Sequence, residues 1–183
     1  MESVDAILQR HLITLHAFVR ARAGPAVAAR ESISDLVQSV CREVLEQQDR
    51  FEFRGEAAFK SWLYTTALRK IIERNRHHRA QKRGFGRQVR ATADDGEDRA
   101  LLEQYATFST PSMHLAAREQ VAAIDEALAQ LSEQHREVIT LAKIAGLPHD
   151  EIGKVMGISE EASRQLLRRA LMRLTGILGK GSA

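Results

Sequence analysis

The residues of this chain best suited to binding chemistry lie in one segment, where aromatic side chains are followed by basic ones. The aromatic residues are Phe51, Phe53, Phe59, Trp62 and Tyr64. The basic residues are Arg69, Lys70, Arg74, Arg76, Arg79, Lys82 and Arg83. Proteins hold single-stranded nucleic acid by stacking its bases on flat side chains and pairing its phosphates with cations. The segment therefore predicts a site for an opened strand, although most aromatic residues belong to a core and only some of these are expected to reach a base.

The charge of the chain is concentrated in the same segment. The net charge is only +3, but residues 54–90 carry 11 basic and 2 acidic side chains, a local charge of +9. Residues 1–53 carry −2 and residues 91–117 carry −4. Such a block predicts a polyanion binder, because each cation that neutralises a phosphate releases condensed counterions. A solvated helix face with a basic end is the alternative interpretation.

A second candidate site lies near the C-terminus, where small and apolar residues are spaced as in a helix-turn-helix. Gly153 stands where the two helices would touch, Gly157 permits the turn, and Ser159 would cap the second helix. The residues of this second helix that lie opposite its leucines are Glu161, Arg164, Gln165, Arg168, Arg169 and Met172. Arg and Gln can bond purine edges in a major groove, so this face predicts duplex reading, with ordinary surface charge as the alternative. Ser163 lies within the apolar face, where its hydroxyl is expected to bond a carbonyl one turn earlier.

Helical periodicity fills both halves of the chain, and no alternating strand pattern occurs. We therefore expect an all-α fold of two small helical domains joined by a flexible linker, the C-terminal one carrying the helix-turn-helix. The predicted domains are residues 1–90 and 113–183. The predicted linker, residues 91–112, is acidic and contains Gly, Ser, Thr and Pro.

The helices of the first half are predicted from their apolar positions. The first keeps helical spacing through Ile7, Leu8, Leu12, Leu15 and Val19, until the stretch AGPAVAARESIS interrupts it. Ser34 is expected to cap the next helix, whose apolar stripe is Leu36, Val37, Val40, Cys41, Val44 and Leu45. The third is expected to bury Phe59, Trp62, Leu63, Thr66, Ala67 and Ile71.

Several classes of protein are not expected. No apolar run is long enough to span a membrane, and the acidic N-terminus is unlike a secretory leader. The single cysteine, Cys41, suits the cytoplasm and is interpreted as a core residue rather than a nucleophile. The histidines lack metal-ligand spacing with each other or with Cys41, so we expect neither a metal nor a cofactor.

Three stretches, in this order, resemble the extracytoplasmic-function (ECF) sigma factors, which are small bacterial transcription-initiation subunits. They are SDLVQSVCREVL, FEFRGEAAFKSWLYTTALRKI and LSEQHREVITLAKIAGLPHDEIGKVMGISEEASRQLLRRALMRL. The resemblance implies a cytoplasmic bacterial protein without its own catalysis. Such a protein binds core RNA polymerase, directs it to promoters and assists their opening, and an anti-sigma factor is a further expected partner.

The resemblance also implies roles for individual residues. The surface that docks on the clamp coiled coil of the largest polymerase subunit would be Asp35, Gln38, Ser39 and Arg42. The residues for the opened minus-ten element would be Arg54, Gly55, Glu56, Phe59, Trp62, Tyr64, Arg69, Arg74 and Arg76. The residues for the minus-thirty-five element would be Glu161, Arg164, Gln165, Arg168 and Arg169.

The chain departs from the usual family pattern at several of these positions. Ser39 stands where an acidic residue is usual, and Arg69 where asparagine is common. In the last helix Glu161-Ala162-Ser163 replaces Gly-Thr-Val, and Gln165-Leu166 replaces Ser-Arg. The promoter preference of better-known members therefore does not carry over to this chain.

Two other functions are compatible with parts of the sequence. A repressor or activator would use the helix-turn-helix alone and bind duplex DNA as a dimer, with the N-terminal half for dimerisation or ligand sensing. Its binding would not need polymerase, which separates it from a sigma factor. A nucleic-acid enzyme is the third possibility, but the sequence shows no carboxylate pair or metal motif to support it.

Overall fold

Regular structure in this chain is helical throughout the part that the structure describes. The computed structural model describes residues 3–28, 32–52, 54–80 and 115–181. The predicted linker, Phe53, Lys82 and Arg83 lie outside these residues. Within the described ranges no strand forms, and no helix combines the length and apolar character needed to cross a bilayer. The expected all-α class is confirmed.

The N-terminal module, residues 4–80, is built from helices that each bury one face. The elements are α1 at Val4–Ala28, α2 at Ile33–Glu46, a 3-10 turn at Gln48–Arg50 and α3 at Glu56–Ala80. In α2 the predicted stripe is correct for Leu36, Val37, Val40 and Val44, which are all buried. In α3 the predicted stripe is buried except for Trp62, which is half-buried.

The N-terminal module differs from the sequence-based expectation in three places. Ser34 does not cap α2, because the helix begins at Ile33 and Ser32 occupies the N-cap position. α1 continues to Ala28, so it ends inside the stretch that was predicted to interrupt it rather than at its start. Leu12 keeps the helical spacing of its neighbours, yet its exposed fraction is 39% because it faces a surface groove.

The C-terminal module, residues 115–181, is also helical. Its elements are α4 at Leu115–Ala129, α5 at Glu133–Ile139, a π-helical turn at Thr140–Ile144, α6 at His149–Met156 and α7 at Glu160–Gly181. Ser132 caps α5 by accepting a hydrogen bond from the backbone N–H of His135. The π-helical turn is closed by a bond from the N–H of Ala145 to the carbonyl of Thr140, at 2.9 Å. Gly146 then ends this helical segment, as predicted, with a φ of +64°.

Helices α6 and α7 form the predicted helix-turn-helix, and two glycines are required at the turn. Gly157 ends α6 with a φ of +68°, in the left-handed region that favours glycine. At Gly153 a Cβ atom would lie 2.7 Å from the carbonyl oxygen of Ile158, so only glycine fits without displacing the turn. Ser159 caps α7 as predicted, because its hydroxyl accepts a bond from the N–H of Ala162 at 3.1 Å.

The two modules pack against each other through α1. This helix contacts α2 and α3 of its own module, and also α4 and the π-helical turn of the C-terminal module. A smaller contact joins α3 to α6. The buried apolar residues of both modules form one continuous core. Two arginines of α1, Arg20 and Arg22, form ion pairs with acidic residues of the C-terminal module.

Candidate nucleic-acid interface

The exposed face of α2 carries the residues that the sequence assigned to polymerase binding. Asp35, Gln38 and Arg42 are exposed, and Ser39 is half-buried. They lie opposite the buried stripe of α2, so the helix turns its polar side outward. The structure therefore brings these four residues onto one outward face.

An apolar groove borders this face, and the sequence did not indicate it. The groove has a volume of about 660 Å³ and is lined by Leu12, Val37, Gln38, Cys41, Arg42, Leu45 and Glu46. Cys41, interpreted from the sequence as a core residue, is half-buried in the groove wall, and burial raises the pKa of its thiol. Ile13, next to the groove residue Leu12, is 56% exposed. An apolar surface with a polar rim is the usual composition of a protein–protein interface.

The loop before α3 presents the first group of predicted minus-ten residues. Gly55 has a φ of +102°, which the other residue types rarely adopt, and its carbonyl accepts the bond from the N–H of Phe59 that starts α3. Arg54 is exposed and forms an ion pair with Glu52 at 2.6 Å. Glu56 is the first residue of α3 and lies 3.4 Å from Nε2 of His11. The loop is therefore shaped by glycine and bordered by exposed charges of both signs.

Two of the aromatic residues assigned to the minus-ten element belong to the core. Phe59 and Tyr64 are both fully buried. The Tyr64 hydroxyl donates a hydrogen bond to Oγ1 of Thr14 at 3.0 Å, and its ring lies 4.8 Å from that of Phe18. Burial raises the pKa of Tyr64 to about 12. Neither ring offers a face to a base in this structure, so burial argues against the predicted direct contact of Phe59 and Tyr64 with a base.

Trp62 is the aromatic residue of α3 that remains partly accessible. Its ring stacks on that of Phe51, with centroids 4.4 Å apart and an interplanar angle of 6°. The indole ring also packs in a T-shaped arrangement against the ring of Phe59, with centroids 6.0 Å apart. Phe51 and Trp62 therefore form a stacked aromatic pair at the margin of the core, next to the loop that carries Arg54 and Gly55.

The basic residues of α3 begin with a pair that is already neutralised in part. Arg69 and Lys70 both form ion pairs with Glu43 of α2, the Lys70 pair at 2.7 Å. Burial alone would raise the pKa of the Glu43 carboxyl, but the bonds to Lys70 and Arg69 outweigh burial and lower it. Glu43 therefore connects the exposed side chain of Arg69 to α2, the helix whose outward face is predicted to bind polymerase. Sequence spacing gave no sign of this contact between helices.

Further along α3, Arg74 and Arg76 are exposed. Together with Arg69 they place three guanidinium groups on the outward part of the helix within two turns. The side chain of Arg79 lies beyond the described side chains. Exposed cations along one helix suit the phosphates of a nucleic-acid strand.

The outward face of α7 carries the residues predicted to read duplex DNA. Glu161, Arg164, Gln165, Arg168 and Arg169 are all exposed, whereas Leu167, Ala170 and Leu174 are buried against the module. Met172 is half-buried. The predicted division of the helix into an exposed polar face and a buried apolar face is therefore correct.

Two residues of this exposed face already interact with glutamates of the same helix. Arg164 forms an ion pair with Glu160, and Gln165 donates a hydrogen bond to Glu161 at 3.2 Å. The guanidinium of Arg169 bonds the carbonyl of Gln165 at 3.3 Å. Among the residues that the structure describes, no carboxylate pairs with Arg168, which leaves that side chain available to a ligand.

Ser163 is fully buried and has a different partner from the one predicted. Its Oγ lies 2.9 Å from Nδ1 of His149, the first residue of α6. Burial lowers the pKa of His149, and the charge of Arg164 lowers it further. The hydroxyl therefore links the two helices of the helix-turn-helix, where the sequence predicted a bond within α7.

Two family models match the chain, in the order of these surfaces. Sigma-70 region 2 matches residues 7–83, which include α2 and the aromatic and basic parts of α3. Sigma-70, region 4 matches residues 127–175, which include the helix-turn-helix.

Curated relatives match over most of their own length. The chain is 30% identical over 150 residues to the RNA polymerase sigma factor CarQ of Myxococcus xanthus, covering 80% of this chain and 74% of CarQ. It is 28% identical over 155 residues to the ECF RNA polymerase sigma factor ShbA of Streptomyces griseus, covering 81% of this chain and 73% of ShbA. Among solved structures, CnrH of Cupriavidus metallidurans, in complex with the cytosolic domain of CnrY, has a similar fold. The TM-score is 0.63 at 23% identity, over 96% of this chain and 87% of CnrH.

Proposed function

The chain belongs to the ECF branch of the sigma-70 family, and from this premise we propose which of its surfaces meet polymerase and which meet the promoter. It is a sigma factor that binds core RNA polymerase and directs the enzyme to promoters. The observation that carries this function is the presence, in order, of matches to both DNA-binding regions of the family on one chain. A stand-alone repressor is not favoured, because the N-terminal module matches sigma region 2 rather than a dimerisation or sensor domain.

Core polymerase binds, in our proposal, to the outward face of α2 and the groove beside it. The polar residues Asp35, Gln38, Ser39 and Arg42 supply the hydrogen-bonding part of this surface. Leu12 and Leu45 supply apolar area, which contributes about 25 cal/mol for each Å² removed from water. The combination suits the clamp coiled coil of the largest subunit, because a helical partner presents apolar and polar stripes side by side.

The opened minus-ten strand binds, in our proposal, where the loop at Arg54, Gly55 and Glu56 meets the aromatic pair of Phe51 and Trp62. Flipping a base out of the duplex costs a few kcal/mol. Stacking on an aromatic side chain returns about 1–3 kcal/mol per base, so one accessible aromatic group offsets much of that cost.

The cations of α3 then follow the strand beyond the flipped base. Arg69, Arg74 and Arg76 lie within two turns of one helix and pair with successive phosphates. Phe59 and Tyr64 keep Trp62 in position from the core side, since both are fully buried. This arrangement assists promoter opening, because it stabilises a strand only after the strand has left the duplex.

The duplex at the minus-thirty-five element is read, in our proposal, by α7 in the major groove. Arg168 and Gln165 make the base contacts, Arg164 and Arg169 add base or phosphate contacts, and Glu161 accepts from a cytosine amino group. The bond between Ser163 and His149 keeps α7 at a fixed angle to α6, so these side chains enter the groove together.

Polymerase supplies the catalysis, and we propose that this chain acts as a regulatory subunit in the cytoplasm, without a metal or cofactor of its own. We propose residues 1–90 and 113–183 as its two functional domains, with 91–112 as the linker. CnrH was solved with the cytosolic domain of CnrY. By analogy we propose that an anti-sigma factor binds this chain as well.

Run-off transcription with purified core polymerase and a promoter library tests these assignments. The wild-type factor is expected to select promoters that share two boxes. Arg164→Ala and Arg168→Ala are expected to lose discrimination at the upstream box while still co-eluting with core enzyme. Selection that is unchanged in both variants would remove α7 from promoter reading.

A further inference from the structure

The carboxylate of Glu43 is the point at which α2 meets the basic residues of α3. Its Oε1 atom accepts a bond from Nη2 of Arg69, and its Oε2 atom lies 2.7 Å from Nζ of Lys70. Nε2 of Gln47, one turn further along the chain, also donates to Oε1 at 3.3 Å. Both carboxylate oxygens are therefore occupied, by two cations of α3 and by one amide that follows α2.

The two cations differ in how far they are exposed to solvent. The Arg69 side chain is 52% exposed, whereas those of Lys70 and Glu43 are only 20% and 17% exposed. A phosphate that approaches from solvent therefore reaches Arg69 more readily than Lys70. When Arg69 leaves, Lys70 remains on Oε2 and Gln47 remains on Oε1. The sheltered carboxylate then keeps a charged and a polar partner, so the departure of Arg69 avoids the large cost of an uncompensated charge.

Glu43 carries a negative charge at neutral pH. Burial raises the pKa of its carboxyl, but the bonds and charges of Lys70 and Arg69 outweigh burial and lower that pKa below its usual value. Carboxylates and phosphates both accept hydrogen bonds from a guanidinium, often two at once. A strand phosphate and the Glu43 carboxylate are therefore competitors for the same side chain, Arg69.

The strength of this competition follows from the exposure of Arg69. Ion pairs with an exposed partner shift an equilibrium by a factor of about two to five, because water and salt screen them. The pair with Glu43 is therefore weak enough for a phosphate to displace. It still reduces the gain from a phosphate contact, because the charge of Arg69 is already compensated in the free chain.

We propose that Glu43 is an internal competitor for nucleic-acid phosphates, which holds Arg69 in the free chain and releases it by exchange when an opened strand binds. Lys70 remains on Glu43 as its permanent counterion and does not contact the strand. This inference rests on the proposed role of α3 in binding the opened strand. Phosphate contacts carry no sequence information, so Glu43 limits the part of strand binding that does not depend on sequence.

Removal of the Glu43 charge tests the proposal. Fluorescence anisotropy measures binding of the full chain to a labelled oligothymidylate, which offers phosphates without a promoter sequence, over a series of salt concentrations. Glu43→Gln is expected to bind this strand about two- to fivefold more tightly than wild type. The slope of log affinity against log salt is expected to steepen by about 0.7, the value for one additional phosphate contact on a single strand.

Two further variants separate competition from a general effect of charge. Glu73→Gln is the matched control, because Glu73 is an exposed glutamate of α3, one turn from Arg69, and its substitution changes the net charge equally. Its affinity and salt slope are expected to stay close to those of wild type. In an Arg69→Ala background, Glu43→Gln is expected to gain no more than this control, because the contested cation is absent. Thermal melting checks the fold of each variant, and a purely structural role of Glu43 would lower the melting temperature without changing the salt slope.

Several results would overturn the proposal. Equal affinity and slope in Glu43→Gln and wild type, including no binding by either, would show that Glu43 does not limit strand binding. Weaker binding would mean that Glu43 presents Arg69 to phosphate instead of withholding it. An equal gain in Glu73→Gln, or an undiminished gain without Arg69, would reduce the effect to net charge.

Run-off transcription with core polymerase separates these results from a failure of the proposed function. If wild type supports run-off from selected promoters while the strand-binding results go against Glu43, the proposed function stands and this inference is refuted. If wild type supports no run-off at any promoter, the proposed function itself is refuted.

Discussion

Gly153 offers a sharp test of the helix-turn-helix, because its surroundings leave no room for one methyl group. In Gly153→Ala the new Cβ atom would lie 2.7 Å from the carbonyl oxygen of Ile158 and 3.5 Å from the backbone of Ser159 and Glu160. The nearest atom belongs to backbone rather than to a flexible side chain. The turn must therefore move by several tenths of an ångström to admit the substitution.

The expected change in the free energy of unfolding has two opposing parts. Overpacking in a well-packed site costs about 1–3 kcal/mol, and a backbone obstacle favours the upper end. Replacing glycine by alanine inside a helix stabilises the folded state by about 1 kcal/mol through helix propensity. The net loss is about 2 kcal/mol, and at about 2–4 °C per kcal/mol for a chain of this size the melting temperature falls by about 4–8 °C.

The assay is thermal melting followed by circular dichroism, with run-off at promoters that carry or lack the upstream box. Gly179→Ala is the control, because no atom lies within 4 Å of the Cβ that it would add in α7. That variant is expected to melt at or slightly above the wild-type temperature. If Gly153→Ala melts no lower than wild type and reads the upstream box normally, the close approach of α6 and the turn is not the reason for glycine at this position.

Three further predictions concern the other surfaces and the histidines. Arg168→Ala is expected to reduce discrimination at one upstream base pair by about 1–3 kcal/mol, measured as run-off ratios between promoters that differ at that pair, and an unchanged ratio at every position would exclude it from base reading. Trp62→Ala is expected to lower permanganate reactivity of minus-ten thymines, with a melting curve to separate loss of stacking from loss of folding; normal reactivity in a normally melting variant would remove Trp62 from the site. Burial, followed by the charges of nearby cations, lowers the pKa of His11, His135 and His149, so the unfolded chain binds these protons more readily. The contribution of these histidines to the free energy of unfolding is therefore expected to be complete above the unfolded pKa of about 6.5 and to decrease as the pH falls through that value. A melting temperature at about pH 5.5 equal to that at about pH 7.5 would contradict this expectation.

Local features of the fold were predictable because they depend on neighbouring residues. The stripe of α2, the separation of α7 into two faces, and the roles of Gly153 and Gly157 all follow from helical periodicity or from the steric properties of glycine. The predicted cap at Ser34 failed because Ser32, two residues earlier, is an equally suitable N-cap residue. Sequence alone does not distinguish two such residues within one turn.

Contacts between distant parts of the chain were not predictable. The pairing of Glu43 with Lys70, and of Arg22 with Glu133, joins residues that share no local pattern. The aromatic residues show the same limit, because one helical spacing placed Tyr64 in the core and left Trp62 at its margin. The accessibility of each ring depends on how much of it α1 and Phe51 cover, and tertiary packing determines that coverage.

The central claim is that one surface of this chain reads the upstream duplex while another stabilises the opened minus-ten strand. Permanganate footprinting tests it most directly, on a single promoter with core polymerase and this chain added separately and together. Thymines of the minus-ten element are expected to react only when both proteins are present, and a substitution in the upstream box is expected to abolish that reactivity. Reactive thymines with core enzyme alone, or tight duplex binding by this chain without polymerase and without strand opening, would contradict it.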